Sequence, residues 1–167
     1  MPLLVLLAIP FTVYSQPRIE SKATTPPYFA SFLLSPAQAT MTVGELWGVE
    51  ILLSTNEAKV DGADAILRYD PRMLRVLELQ KGDLFEEYVA ESVDGVKGEI
   101  RLSGLTFDPR PKTGILGTIL FEPLSQGTTV VFFEFTPGAT KDSNVALGGA
   151  GGVDILKEVE SGRYVIE

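Results

Sequence analysis

Val60-Asp61-Gly62-Ala63-Asp64-Ala65-Ile66-Leu67-Arg68-Tyr69-Asp70-Pro71 is the stretch on which the fold turns. From residue 63 its side chains alternate, as those of a half-buried strand do. Ala63, Ala65, Leu67 and Tyr69 fall on one side, with Asp64, Ile66 and Arg68 on the other. The strand then stops for a chemical reason. Asp70 can bond its own backbone two residues on, and Pro71 fixes the second position of a turn. The same alternation recurs in 100–105, where Arg101 and Ser103 oppose Ile100 and Leu102. It recurs again in 129–135, where Val130, Phe132 and Glu134 oppose Val131, Phe133 and Phe135.

Outward from these, short apolar or alternating runs are separated by Gly, Pro, Asp and Asn at the spacing of an antiparallel sandwich or barrel. Strands are predicted at 29–34, 46–54, 63–69, 75–79, 89–93, 100–105, 117–122, 129–135 and 164–166. No window of helical length keeps a 3.6-residue period. Only residues 83–88 have the pattern of a helical turn, with Asp83 as its cap. The predicted class is all-β, with two packed sheets. Residues 136–152 form a long small-residue stretch ending in Gly148-Gly149-Ala150-Gly151-Gly152, predicted to be a loop.

The N-terminal part reads differently. Residues 3–13 are an apolar run with no charge before Arg18. It suits the core of a signal peptide or a membrane anchor, and falls short of the roughly 20 residues that span a bilayer. Residues 16–27 are polar and proline-rich, as an extended spacer is. The predicted organisation is therefore a targeting or anchoring segment at 1–15, a linker at 16–27 and one folded module at 28–167. Export to the extracellular space or cell surface is the expectation.

Composition removes most chemistry. The 167 residues include no His and no Cys. That excludes His-based nucleophile systems, thiolate catalysis, zinc sites of the finger type and disulfides. A net charge of −8 argues against a nucleic-acid partner, which needs a basic patch. The acids that remain for catalysis, Asp70, Asp83, Glu86, Glu87, Glu99 and Glu134, show no clustering with sugar-binding aromatics, and a solvated surface accounts for them. No catalytic residue is assigned and no enzyme activity is expected. Asp142, Asn144 and Asp154, in or beside the long loop, offer oxygen ligands from which a calcium site could be built. Their first reading is turn chemistry, and no metal or other cofactor is assigned.

What remains is the face that the alternation turns to solvent. Asp64, Ile66, Arg68, Arg101, Ser103, Val130, Phe132 and Glu134 put apolar groups among charges, as a docking patch with an apolar centre and polar rim does.

The order of features from Phe29 to Glu167 resembles a cohesin domain, the module that captures dockerin domains in extracellular polysaccharide-degrading assemblies. The resemblance runs through Leu34-Ser35-Pro36, Val43-Gly44-Glu45 and the apolar run 49–53. It continues through the opening stretch to Pro71, then Leu74 to Leu79, Lys81-Gly82-Asp83-Leu84-Phe85 and Gly117-Thr118-Ile119-Leu120-Phe121. It implies a nine-stranded antiparallel jelly-roll sandwich and a protein partner, dockerin-like, on the sheet holding the third, fifth, sixth and eighth strands. Asp64 matches the family position at which a polar or acidic residue contacts dockerin. A carbohydrate-binding module, related in fold, and a purely structural surface domain are the alternatives.

Overall fold

The computed structural model describes residues 29–139 and 141–167. The predicted targeting segment and linker lie outside them. Ten strands account for the fold: β1 (Ala30–Ser35), β2 (Gln38–Met41), β3 (Trp47–Arg68), β4 (Leu74–Lys81), β5 (Glu87–Asp94), β6 (Glu99–Pro123), β7 (Gly127–Phe133), β8 (Asn144–Leu147), β9 (Leu156–Glu160) and β10 (Gly162–Ile166). No helix occurs among the described residues.

β3 and β6 organise everything else. They pair antiparallel along nearly their whole length, and each runs through both layers of a sandwich. In the first layer the 47–54 part of β3 lies between β1 and the 113–121 part of β6, with β9 beyond β1 and β4 beyond β6. In the second, residues 62–68 of β3 lie between the 99–105 part of β6 and strands β8 and β7. β5 completes that layer on one side, and β10 with β2 on the other. The chain passes between layers where the register slips, between Ser54 and Lys59. There Asn56 and Glu57 take positive φ values of 47° and 68°. An irregularity of this kind bends a strand without ending its pairing.

The layers meet over an apolar core. The rings of Phe32 on β1 and Phe133 on β7 stack at 5.4 Å, and those of Tyr69 and Phe121 meet edge-on at 5.7 Å. Ala63, Ala65, Leu67, Ile100, Leu102, Val131 and Phe133 are all buried, so the alternation assigns the inner faces of three strands as they stand.

Four expectations change. Among the described residues the strands number ten and not nine, and the sheet is mixed, because β1 pairs parallel with β9 and β2 parallel with β10. The runs predicted at 46–54 and 63–69 are one strand, as are those at 100–105 and 117–122. Residues 83–86 form bends and not a helical turn. Phe85 packs against Gly104, where a Cβ would stand 2.4 Å from its ring, and Tyr88 donates its hydroxyl to the Leu116 carbonyl at 2.8 Å. The long loop at 136–152 is interrupted by β8, which pairs with β3.

Candidate functional site

Residues directly opposite one another across a sheet share a face, so the register of β5, β6 and β3 lays out the outer surface of the second layer row by row. One row is Asp94–Glu99–Arg68, continued by Phe132 on β7. The next is Ser92–Arg101–Ile66. Then comes Ala90–Ser103–Asp64, continued by Asn144 on β8. The last is Glu87–Leu105–Gly62, continued by Ala146.

At one end of this face the charges satisfy one another. Arg68 Nη2 stands 2.6 Å from Glu99 Oε2, and its Nε donates to Glu134 Oε1 at 2.8 Å. Arg101 Nε donates to the other oxygen of Glu99 at 3.0 Å. The result is a chain of alternating charge, Arg101–Glu99–Arg68–Glu134, that crosses β6 and β3 to the residue just past β7. The hydrogen bond to Glu134 leads in holding the Arg68 guanidinium protonated, pushing it above its ordinary value against the opposing effect of burial; the charges of Glu134, Glu99 and Asp94 add to it. Phe132 lies beside this chain with 44 % of its surface exposed.

The structure brings seven of the eight predicted residues onto one surface. Val130 stands apart, opposite Arg163 of β10 and away from β3. Ile66 has the predicted phase but not the predicted exposure, since only 5 % of it meets solvent. Its main chain is clasped by the segment entering β8: Ile66 N donates to Ser143 Oγ at 3.0 Å, and Ser143 Oγ donates back to Ile66 O at 3.1 Å. Glu134 N donates to the same carbonyl. Ile66 stands between Arg68, two residues on along its strand, and Arg101 across it. It supports the surface and does not offer contact area.

Reasoning from sequence missed Glu99, Ser92, Leu105, Asn144 and Ala146. Glu99 and Leu105 were within reach, each two residues from a residue already assigned outward on β6. Asn144 and Ala146 carry no such signal, because β8 is short and sits inside a stretch that looks like loop.

Other candidates disperse. Asp154 Oδ1 accepts from Val145 N and Leu156 N, both at 2.9 Å. Asp142 accepts from Thr136 N, and Asn144 donates to the Asp142 carbonyl. These are turn-holding contacts. No group of three or more acidic side chains suited to a metal occurs among the described residues. Tyr69 and Tyr164 are buried, and Trp47 and Tyr88 half-buried, so they form no platform for a sugar ring.

No protein-family model matches the chain, and no curated protein sequence matches it. Solved structures do. A cohesin of Clostridium acetobutylicum, CaCohA2, superposes with a TM-score of 0.65 at 15% identity, over 83% of this chain and 90% of that one. A non-cellulosomal cohesin from the hyperthermophilic archaeon Archaeoglobus fulgidus gives 0.62 at 16% identity, over 83% and 91%. A chain of the type I cohesin–dockerin complex of OlpA with Doc918, from Clostridium thermocellum, gives 0.64 at 17% identity, over 83% and 99%. The β-sandwich described here therefore has the cohesin-like fold.

Proposed function

We propose that this chain is a non-catalytic protein-binding module, exported and held at or outside the cell surface, that takes a dockerin-like partner on the outer face of β5, β6, β3, β8 and the end of β7. The observation that carries the reading is Phe132: a large aromatic, 44 % exposed, beside charges already paired among themselves. Such a residue adds desolvated contact area, while the bordering charges select orientation and partner. The cohesin-like fold supports it, since a structure of that fold is a complex with dockerin.

The test is a calorimetric titration of the protein with dockerin modules, Doc918 among them. At least one should bind saturably, and Phe132→Asp should abolish that binding while leaving the thermal unfolding midpoint within a few degrees of wild type. Undiminished binding by a folded Phe132→Asp variant overturns the docking face. Failure of every dockerin leaves the partner outside that class.

A further inference from the structure

β3 and β6 keep register from Arg68–Glu99 to Gly62–Leu105, and resume it at Val60–Arg110. Between these pairs β3 has only Asp61, whereas β6 has Thr106, Phe107, Asp108 and Pro109. The excess is thrown outward as a bulge, and bulges re-aim side chains. Thr106 is buried and Phe107 is 82 % exposed. The bulge is braced from within. Thr106 Oγ1 donates to Asp108 O at 3.1 Å, Asp108 N donates back at 3.3 Å, and the Asp108 carboxylate holds Arg110 Nε at 2.8 Å. An exposed aromatic on ordered backbone costs little further entropy when it is covered.

Leu105 immediately precedes this bulge, 39 % exposed. It lies over Gly62: a Cβ there would stand 2.8 Å from Leu105 Cδ2 and 2.8 Å from the Gly104 carbonyl. Beside this contact lies a groove of about 220 Å³, whose lining includes Leu105, Ala146, Asp61 and Asp64. No Lys or Arg lines it. Asp61 accepts from Gly149 N at 3.0 Å and Asp64 from Asn144 Nδ2 at 3.4 Å. Among the described residues neither acid is in an ion pair. The contrast with the self-neutralised chain at the other end of the face is chemical: here an apolar surface is bordered by carboxylates that await a cation.

Resting on the docking-face reading above, we infer that the bulge and groove form the anchoring end of that face, and that the partner segment seated there carries an apolar side chain next to a Lys or Arg. The apolar group covers Leu105 and Phe107, and the cation meets Asp61 and Asp64.

The test uses three fluorescent peptides of equal length and the same amphipathic pattern, built from Lys and Leu, Glu and Leu, or Lys and Ser. Anisotropy should show saturable binding of the Lys/Leu peptide alone. Phe107→Ser, and separately Asp61→Asn with Asp64→Asn, should each weaken it about tenfold or more, with unchanged thermal midpoints. Equal binding of either control peptide, or indifference to Phe107→Ser, overturns the inference. The dockerin titrations separate this from the broader reading. If Phe132→Asp abolishes dockerin binding while the peptides show no discrimination, the inference alone fails; if the peptides discriminate while Phe132→Asp changes nothing, the docking face centred on Phe132 fails.

Discussion

Tyr88 and Tyr164 keep their hydroxyls inside the sandwich, and the consequence falls on their ionisation. Tyr88 donates to the Leu116 carbonyl at 2.8 Å and Tyr164 to that of Pro36 at 3.0 Å. Burial leads in pushing both up to about 12 from an ordinary 10.0. A raised folded value means that the folded state favours the neutral phenol. This contribution to stability is complete below pH 10 and is lost as pH rises from there through 12. The double variant Tyr88→Phe, Tyr164→Phe should be less stable at neutral pH by about 1–3 kcal/mol, from the lost hydrogen bonds. Its unfolding midpoint should nevertheless fall less than that of wild type between pH 9 and 11, in thermal melts. An equal fall would mean that the phenols are already accessible in the folded state. The same sorting of groups by burial separates Ile66 from Phe132. Both have outward phase, but Ile66 is 5 % exposed and Phe132 44 %.

Strand faces were legible because each depends on adjacent residues only. Period two in 63–69, 100–105 and 129–135 places Leu67 and Phe133 inside and Phe132 outside without reference to the rest of the chain. Strand lengths and partners were not legible, because they depend on residues distant in sequence. Asn56-Glu57 and Asp108-Pro109 look like turn residues, yet here they bend β3 and β6 from one layer to the other while pairing resumes beyond them. β2, β8 and β9 are short, and their pairings with distant strands, parallel for β2 and β9 and antiparallel for β8, leave no local pattern. At Ile66 the gap between β7 and β8 is filled by a side chain in place of a strand: Ser143 Oγ both accepts from Ile66 N and donates to Ile66 O. Ser143→Ala should therefore strand a buried N–H and destabilise the fold by about 1–3 kcal/mol in urea titrations, and Ser143→Thr should recover part of the loss. A change below 0.5 kcal/mol for Ser143→Ala would show that β7 and β8 hold β3 without this clasp.

Across the whole molecule, the two long strands fix which charges meet. Because β3 and β6 stay in register through the second layer, Arg68 lies opposite Glu99 and Ile66 opposite Arg101, and the end of β7 adds Phe132 and Glu134 to the same surface. The outer face of the first layer, with Ser31, Leu33, Leu52 and Thr118, has no comparable array of paired charges around an exposed aromatic. The most direct comparison of the two faces is a ¹⁵N chemical-shift titration of the protein with a bound dockerin module. Shifts centred on Asp64, Arg68, Ser92, Arg101, Ser103 and Phe132, with Ser31, Leu33, Leu52 and Thr118 unmoved, are the result expected of a docking face on β5, β6, β3, β8 and the end of β7. Shifts centred on the first-layer residues would contradict it.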